Sequence, residues 1–257
     1  MEAAFREREF EFCFNSEFVR KKGSALVGTP LIPTTRAERF KGYDVEFPVK
    51  HGGYRYSIFL QHKVPDYVDR RTSTNRRFMD RHPGGAYFRF RVRHTLKSQQ
   101  HNLLVRLASA SGRYVVAYCA PRFYTYEALY NYVKKSEVTE QCSFTPTRGL
   151  PELSVSDRVV HHISLDPDGR RWHFHSEPVP IAGGYSWEEF LGVEQQAIVD
   201  TIDEAYLHRL NQDMKATITE TYSQTVELPP HVANAGVATE IAYMASYYLD
   251  AAWYLLP

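Results

Sequence analysis

Two runs of alternating residues, 44–49 and 54–63, flank a turn with a Gly-Gly pair and constrain the fold more than any other stretch. Such alternation is typical of half-buried β-strands. The first run begins with Asp44, and the second ends with Gln61 and Lys63, which share one face of the strand. If the two runs pair as a hairpin, these three side chains meet at one sheet edge. A carboxylate, an amide oxygen and an ammonium group together suit a divalent cation and a phosphodiester.

The segments around this strand pair alternate between helical and strand patterns. Capping-box spacing and apolar stripes indicate helices, whereas period-two or continuous apolar runs indicate strands. The predicted elements are a helix at 34–41, strands at 44–49, 54–63 and 86–93, a helix at 98–109, a strand at 114–120 and a helix at 125–135. This order predicts an α/β fold in which a mixed sheet is flanked by helices.

The rest of the sequence adds a second hairpin and a helical region. Runs at 159–165 and 171–176 flank an Asp-Pro-Asp-Gly turn and are predicted to pair. The later pattern is helical, and the last helix is predicted at 232–256. We therefore divide the chain into a first domain, residues 1–183, and a C-terminal helical accessory region, residues 184–257. The aromatic surface of the last helix must pack on the core, on a partner protein or on a second copy of the chain.

The charges exclude a strong overall field but not a local one. The 31 basic and 30 acidic residues nearly cancel, so attraction to a polyanion must come from a patch. Basic residues do cluster along one part of the chain: Arg70, Arg71, Arg76, Arg77, Arg81, Arg89, Arg91, Arg93 and Lys97. This cluster either follows phosphates or forms an ordinary solvated face.

The sequence is that expected of a cytoplasmic protein. Its three cysteines are widely spaced, which favours a reducing compartment and argues against a thiolate zinc site. The first residues lack the pattern of a signal peptide. The most apolar stretch, 237–256, contains Glu240 and Asp250 and is a poor candidate for a membrane span.

The order of elements, with Asp44 at the first strand and Gln61-x-Lys63 at the end of the next, resembles the PD-(D/E)xK nuclease superfamily. The Gln-x-Lys variant is similar to that of the Mrr-type restriction endonucleases within it, and the resemblance covers residues 34–135. It implies a restriction-endonuclease-like fold that hydrolyses phosphodiester bonds with Mg²⁺ or Mn²⁺. The implied substrate is nucleic acid, DNA rather than RNA, and the implied role is an effector of bacterial anti-phage defence.

The resemblance also implies a role for each site residue. Asp44 would be the central metal-binding carboxylate, and Gln61 would stand in the second acidic position with a neutral oxygen ligand. Lys63 would orient or help to deprotonate the attacking water and offset charge on the phosphoryl group. Glu38 would be the acidic residue of the preceding helix and would bind the metal through water. Gln100 would correspond to a glutamine that some members carry on the helix after the third strand.

Each residue also has a structural interpretation. Asp44 can close a turn, and Glu38 can cap the helix that begins at Thr35. Lys63 and Gln61 can be ordinary polar residues at the end of a strand. The alternative function is therefore a catalytically inactive module that keeps the nuclease fold and binds nucleic acid or assembles with other subunits.

Four histidines lie on the second predicted hairpin: His161, His162, His173 and His175. If the turn is centred near Asp168, His161 and His175 lie opposite each other. Such a pair can hold zinc or form a general acid and base, although a structural role is the alternative.

Overall fold

A computed structural model of the chain describes residues 1–21, 47–48, 56–72, 75–82, 84–92, 100–110, 114–154, 158–175, 179–181, 184–190, 204–249 and 252–256. These residues form a mixed α/β structure with two open sheets.

The strands are β1 (Phe47–Pro48), β2 (Tyr56–His62), β3 (Asp66–Val68), β4 (Tyr87–Val92), β5 (Tyr114–Pro121), β6 (Cys142–Pro146), β7 (His161–Leu165), β8 (Trp172–Phe174), β9 (Val179–Ile181) and β10 (Ala252–Leu256). The helices are α1 (Glu7–Lys21), α2 (Arg76–Met79), α3 (Gln100–Ala110), α4 (Tyr126–Lys135), α5 (Glu204–Tyr222), α6 (Pro230–Ala233) and α7 (Val237–Leu249). Residues 187–190 are also helical.

The first sheet is mixed and has the strand order β1-β10-β2-β5-β6. Strands β2 and β5 are parallel, and the connection between them contains α3. Strand β6 then pairs antiparallel with β5. A parallel pair requires a crossover connection, which explains why a helix separates these two apolar runs in the sequence.

The second sheet is antiparallel throughout and has the strand order β3-β4-β7-β8-β9. One face of it packs against the first sheet. Phe90 of β4 lies 5.6 Å from the ring of Tyr118 on β5 and 5.8 Å from the ring of Trp172 on β8, measured between centroids. The two sheets therefore enclose a common core, which α3, α5 and α7 extend.

The opposite face of the first sheet is covered by α1 and α4. Phe10, Phe14 and Phe18 of α1 recur every fourth residue and are fully buried against this face, as expected for an amphipathic helix. Helix α4 begins at the predicted position, where the Thr125 hydroxyl accepts a hydrogen bond from the Ala128 amide. The first sheet is thus covered on both faces.

Strand β10 corrects two predictions. Residues 252–256 were predicted to end a long helix, but α7 ends at Leu249 and 252–256 form a strand. This strand lies between β1 and β2, parallel to the first and antiparallel to the second, so 47–48 and 56–62 do not pair directly as the predicted hairpin requires. The run Ala-Trp-Tyr-Leu-Leu suits a strand, but local pattern does not reveal a partner so distant in the chain.

The fold class is confirmed at the level of a mixed α/β protein with helices on its sheets. The restriction-endonuclease-like arrangement and the division at residue 183 stay predictions. Helix α7 buries Ile241, Met244 and Leu249 against the common core, so much of its apolar surface packs within the chain.

Candidate functional site

Gln61 is the residue before the last in β2 and pairs with Tyr118 of β5. Its side chain is 1 % exposed, and its Nε2 atom has no hydrogen-bond partner. A buried amide nitrogen without an acceptor is costly, because water no longer solvates its N–H groups. The nitrogen and oxygen of a glutamine amide are nearly equal in size, so half a turn of the group puts the oxygen at that unpartnered position. Gln61 therefore fits the donor set of a hard cation.

Lys63 follows directly after β2. Its backbone N–H donates to the carbonyl of Cys119 at 2.9 Å, which extends the strand pairing by one residue. Its Nζ atom lies 3.5 Å from Oε1 of Glu7 on α1. The side chain of Lys63 is 15 % exposed, so the ammonium group stays close to the surface.

His62 points away from this face and anchors the strand. Its ring lies 5.6 Å from Phe10 and 4.9 Å from Phe14, in edge-on geometry. Burial, followed by the charge of Lys63, lowers the pKa of His62 to about 3. The imidazole is therefore neutral near neutral pH, and Gln61 and Lys63 are held on either side of a residue fixed in the core.

A cavity of about 490 Å³ opens beside the end of this strand. Val64, Asp66, Arg89 and Arg91 contribute to its wall. Asp66 stands opposite Arg89 in the pairing of β3 with β4, and the two charged groups lie 4.0 Å apart. The cavity thus adjoins Lys63 through Val64, and its wall carries the guanidinium groups of Arg89 and Arg91 together with the carboxylates of Glu2 and Asp66.

The structure brings only part of the predicted site together. Gln61 and Lys63 lie at one strand end, whereas Asp44 and Glu38 lie outside the described residues. Because β10 separates β1 from β2, the predicted hairpin does not carry Asp44 to Gln61 by direct pairing. Within the described ranges, no group of three or more His, Cys, Asp and Glu side chains is positioned to hold a metal ion.

Glu7 is a candidate site residue that the sequence did not indicate. It lies 56 residues before Lys63 and belongs to the first turn of α1. An acidic residue in the first turn of a helix has an ordinary explanation, because it complements the helix dipole. No local pattern connects it with Lys63.

Strands β7 and β8, the turn between them and the residue that directly follows β8 carry the four histidines, and we call them the histidine hairpin. The hairpin forms, but its register differs by one residue from the predicted register. Ile163 pairs with Phe174, and the amide of His175 donates to the carbonyl of His162 at 3.0 Å. His175 therefore lies opposite His162, not His161, whose ring instead stacks on Phe174. The four-residue turn sets this register, and a shift by one residue moves a side chain to the other face.

A buried network links the hairpin to residues 75–82, and we call it the histidine–serine network: Asp166, His82, Ser164 and His175. Nδ1 of His82 contacts the Asp166 carboxylate, and its Nε2 lies 2.7 Å from the Ser164 hydroxyl. That hydroxyl also contacts Nε2 of His175. Burial lowers the pKa of His82, although the bond to Asp166 opposes the shift.

One arrangement of protons satisfies this network when both imidazoles are neutral. The carboxylate only accepts, so His82 donates from Nδ1 and accepts the Ser164 proton at Nε2. The Ser164 oxygen then accepts from Nε2–H of His175. Burial, followed by the neighbouring His82, lowers the pKa of His175 to about 3, which keeps this tautomer neutral.

The order Asp, His, Ser matches that of a nucleophilic triad, but Ser164 has no exposed surface. A nucleophile must reach its substrate, so this hydroxyl serves to fix neighbouring side chains instead. Its partners are His175, which directly follows β8, and His82. The histidine–serine network therefore holds residues 75–82 against the second sheet.

Comparisons with known proteins do not extend this picture. The chain matches no protein-family model, no curated protein and no solved structure. In the part of the chain that the structure describes, no helix has the length and apolar character needed to cross a membrane.

Proposed function

We propose that the protein is a metal-dependent nuclease whose reaction centre lies at the end of β2. The observation that carries the proposal is the placement of Gln61 and Lys63 at the end of β2, directly before Val64, which lines a cavity together with Arg89 and Arg91. A phosphodiester in this cavity would meet two cationic side chains, and Lys63 would stand near its scissile group.

The proposal assigns Asp44, Gln61 and Glu38 to Mg²⁺ or Mn²⁺. All three offer oxygen ligands, which these hard cations prefer. The ion would polarise the phosphoryl group and lower the pKa of a bound water. Gln61 brings no charge, so the site relies on its carboxylates for affinity.

Lys63 has two tasks in this proposal. Its ammonium group offsets the negative charge that develops on the phosphoryl oxygens. The carboxylate of Glu7, 3.5 Å away, orients the ammonium group while the site is empty of substrate. Glu7 is thus a positioning residue, and it can exchange this partner for the metal or for water when nucleic acid binds.

A plasmid cleavage assay tests the proposal. Purified protein with Mg²⁺ or Mn²⁺ is expected to cut supercoiled DNA, and EDTA is expected to stop the reaction. Asp44→Asn and Lys63→Met should each lower the rate about a hundredfold or more, the scale measured when one group that stabilises a transition state is removed. Lys134→Met, at an exposed lysine of α4, is the matched control.

The same assay distinguishes the nuclease from the inactive module. The partner of Lys63 and the neutral Gln61 are features that a binding module could also carry. Undiminished DNA binding without cleavage, in both metals and with RNA as a second substrate, would favour the module. Defence against phage and a DNA substrate remain parts of the proposal that depend on the cleavage result.

A further inference from the structure

Residues 70–72 and 75–82 carry exposed arginines and contact the second sheet, and we call these described residues the arginine segment. Arg70, Arg71, Arg76 and Arg81 are exposed, and Arg71 pairs with Asp80 at 2.5 Å. One carboxylate therefore opposes several guanidinium groups in this segment. The positive charge of this segment is local, because the basic and acidic residues of the whole chain nearly cancel.

Two buried side chains hold the arginine segment in place. Phe78 is 2 % exposed, and its ring lies 4.2 Å from His175 and 5.7 Å from His162. His82 is also 2 % exposed, stacks on Tyr87 at 5.0 Å and belongs to the histidine–serine network. The anchors at 78 and 82 point into the protein, whereas Arg70, Arg71, Arg76 and Arg81 face solvent.

The arginine segment adjoins the cavity of the candidate site through Arg89. The guanidinium carbon of Arg89 lies 5.7 Å from the centre of the Phe78 ring, and Arg89 also lines the cavity with Arg91. Arg91 is exposed on the same strand. Basic side chains therefore extend from the end of β2, past β4, onto α2.

We propose that the arginine segment, with Arg89 and Arg91, binds the phosphodiester backbone of a nucleic acid. Planar guanidinium groups match phosphate oxygens in pairs, and a segment fixed in advance loses little entropy when it binds. The inference rests on the proposed function for its substrate class, because it identifies where the nucleic acid would lie relative to Lys63. It does not require cleavage.

A membrane surface fits this region less well. Basic surfaces that bind lipid combine their charges with exposed apolar side chains. The described residues from 70 to 92 include no large apolar side chain among the exposed ones. The arginine segment thus has the charge for phosphates without the apolar surface for a bilayer.

Fluorescence anisotropy in EDTA measures binding without any cleavage. We expect a labelled duplex DNA of about 20 base pairs to bind with a logarithmic Kd that rises linearly with the logarithm of NaCl concentration. The double variant Arg76→Gln/Arg81→Gln should weaken binding and reduce the slope by about 1.8, or about 0.9 for each phosphate contact removed. Arg91→Gln should reduce it by about 0.9.

Arg20→Gln and Arg209→Gln are matched controls, because both arginines are exposed and lie on α1 and α5, outside the arginine segment. Circular dichroism and thermal melting should show that all variants are folded. The inference is overturned if the controls reduce the slope as much as the double variant, or if the unaltered protein does not bind. Arginine-dependent binding to phosphatidylserine vesicles, with none to DNA or RNA, also overturns it.

The two proposals fail in different ways. If the protein binds DNA through the arginine segment but never cleaves it, the binding site is supported and the nuclease proposal is wrong. Cleavage that is insensitive to Arg76 and Arg81 would preserve the nuclease and end the proposed binding site.

Discussion

Replacing His62 with phenylalanine should make the protein more resistant to acid. The folded protein keeps His62 neutral down to about pH 3, because burial and the charge of Lys63 lower its pKa, whereas its ordinary value is 6.5. Between these two values the unfolded chain binds a proton that the folded protein excludes. Acid therefore favours unfolding, and the free energy of unfolding falls as pH drops below 6.5.

The size of the effect follows from the two pKa values. Each pH unit within this window costs about 1.4 kcal/mol, so His62 alone should remove about 2 kcal/mol between about pH 7.5 and pH 5. His101, with a pKa lowered to about 4 mainly by burial, should add a similar loss. Together the two losses, about 4 kcal/mol, are a large part of the stability of many domains.

Urea unfolding of the two proteins at both pH values measures the effect. The quantity compared is the change in the free energy of unfolding between about pH 7.5 and about pH 5. The packing cost of the larger phenylalanine ring is the same at about pH 7.5 and about pH 5, so it cancels from this change. We expect this change to be about 2 kcal/mol smaller in His62→Phe than in the unaltered protein. His208→Gln, at a histidine with 59 % exposure, should leave it unchanged.

Equal pH dependence in the unaltered protein and His62→Phe would refute the reasoning. It would mean that His62 titrates normally in the folded state and is not enclosed by Phe10 and Phe14. A direct check is the imidazole titration by NMR, in which the His62 signal should not move above about pH 4.

Three further predictions concern single side chains. Ser164→Ala should lower the free energy of unfolding by about 2 kcal/mol, because two buried histidine nitrogens lose their shared partner, and thermal melting measures this. Gln61→Glu should make the free energy of unfolding depend on Mg²⁺, because the site regains a negatively charged ligand. The expected gain is about 1.4 kcal/mol when the Mg²⁺ concentration is about ten times the Kd for Mg²⁺. Thermal melting with and without Mg²⁺ measures this gain. Glu17→Gln should cost about 3 kcal/mol in urea unfolding, because the buried carboxylate accepts from the backbone amides of Val138 and Thr139.

Exposed positions supply the controls for these variants. Ser16→Ala and Glu188→Gln should change stability little, since both side chains face solvent. Gln212→Glu should show no Mg²⁺ dependence. If Gln212→Glu and Gln61→Glu respond equally to Mg²⁺, there is no metal site at Gln61. If Ser164→Ala is as stable as the unaltered protein, the histidine–serine network does not stabilise the fold.

The sequence correctly predicted the elements that are determined by neighbouring residues alone. Strand β4 alternates buried and more exposed side chains, and α4 has its cap at Thr125. Ser186 and Glu189, which have capping-box spacing in the sequence, likewise bond each other's backbone amides. Local propensity and capping chemistry decide such features, so a single sequence contains them.

The features that the sequence did not reveal depend on contacts between distant residues. The pairing of β10 with β2 joins positions 252 and 60, and the ion pair of Lys63 joins it to Glu7 on another element. The register of the histidine hairpin required the actual shape of the turn at Asp166, where one residue decides which histidines face each other. Neither periodicity nor composition specifies such long-range choices.

The inner position of β10 has a consequence for how the protein is made. Its neighbour β2 leaves the ribosome long before residues 252–256, so for most of synthesis the first sheet has two unpaired edges where a strand will later fit. Exposed edges recruit other strands, and pairing between such distant residues slows folding. A chain truncated after Leu249 should therefore aggregate more than the chain that includes β10, even though it keeps every helix that the structure describes.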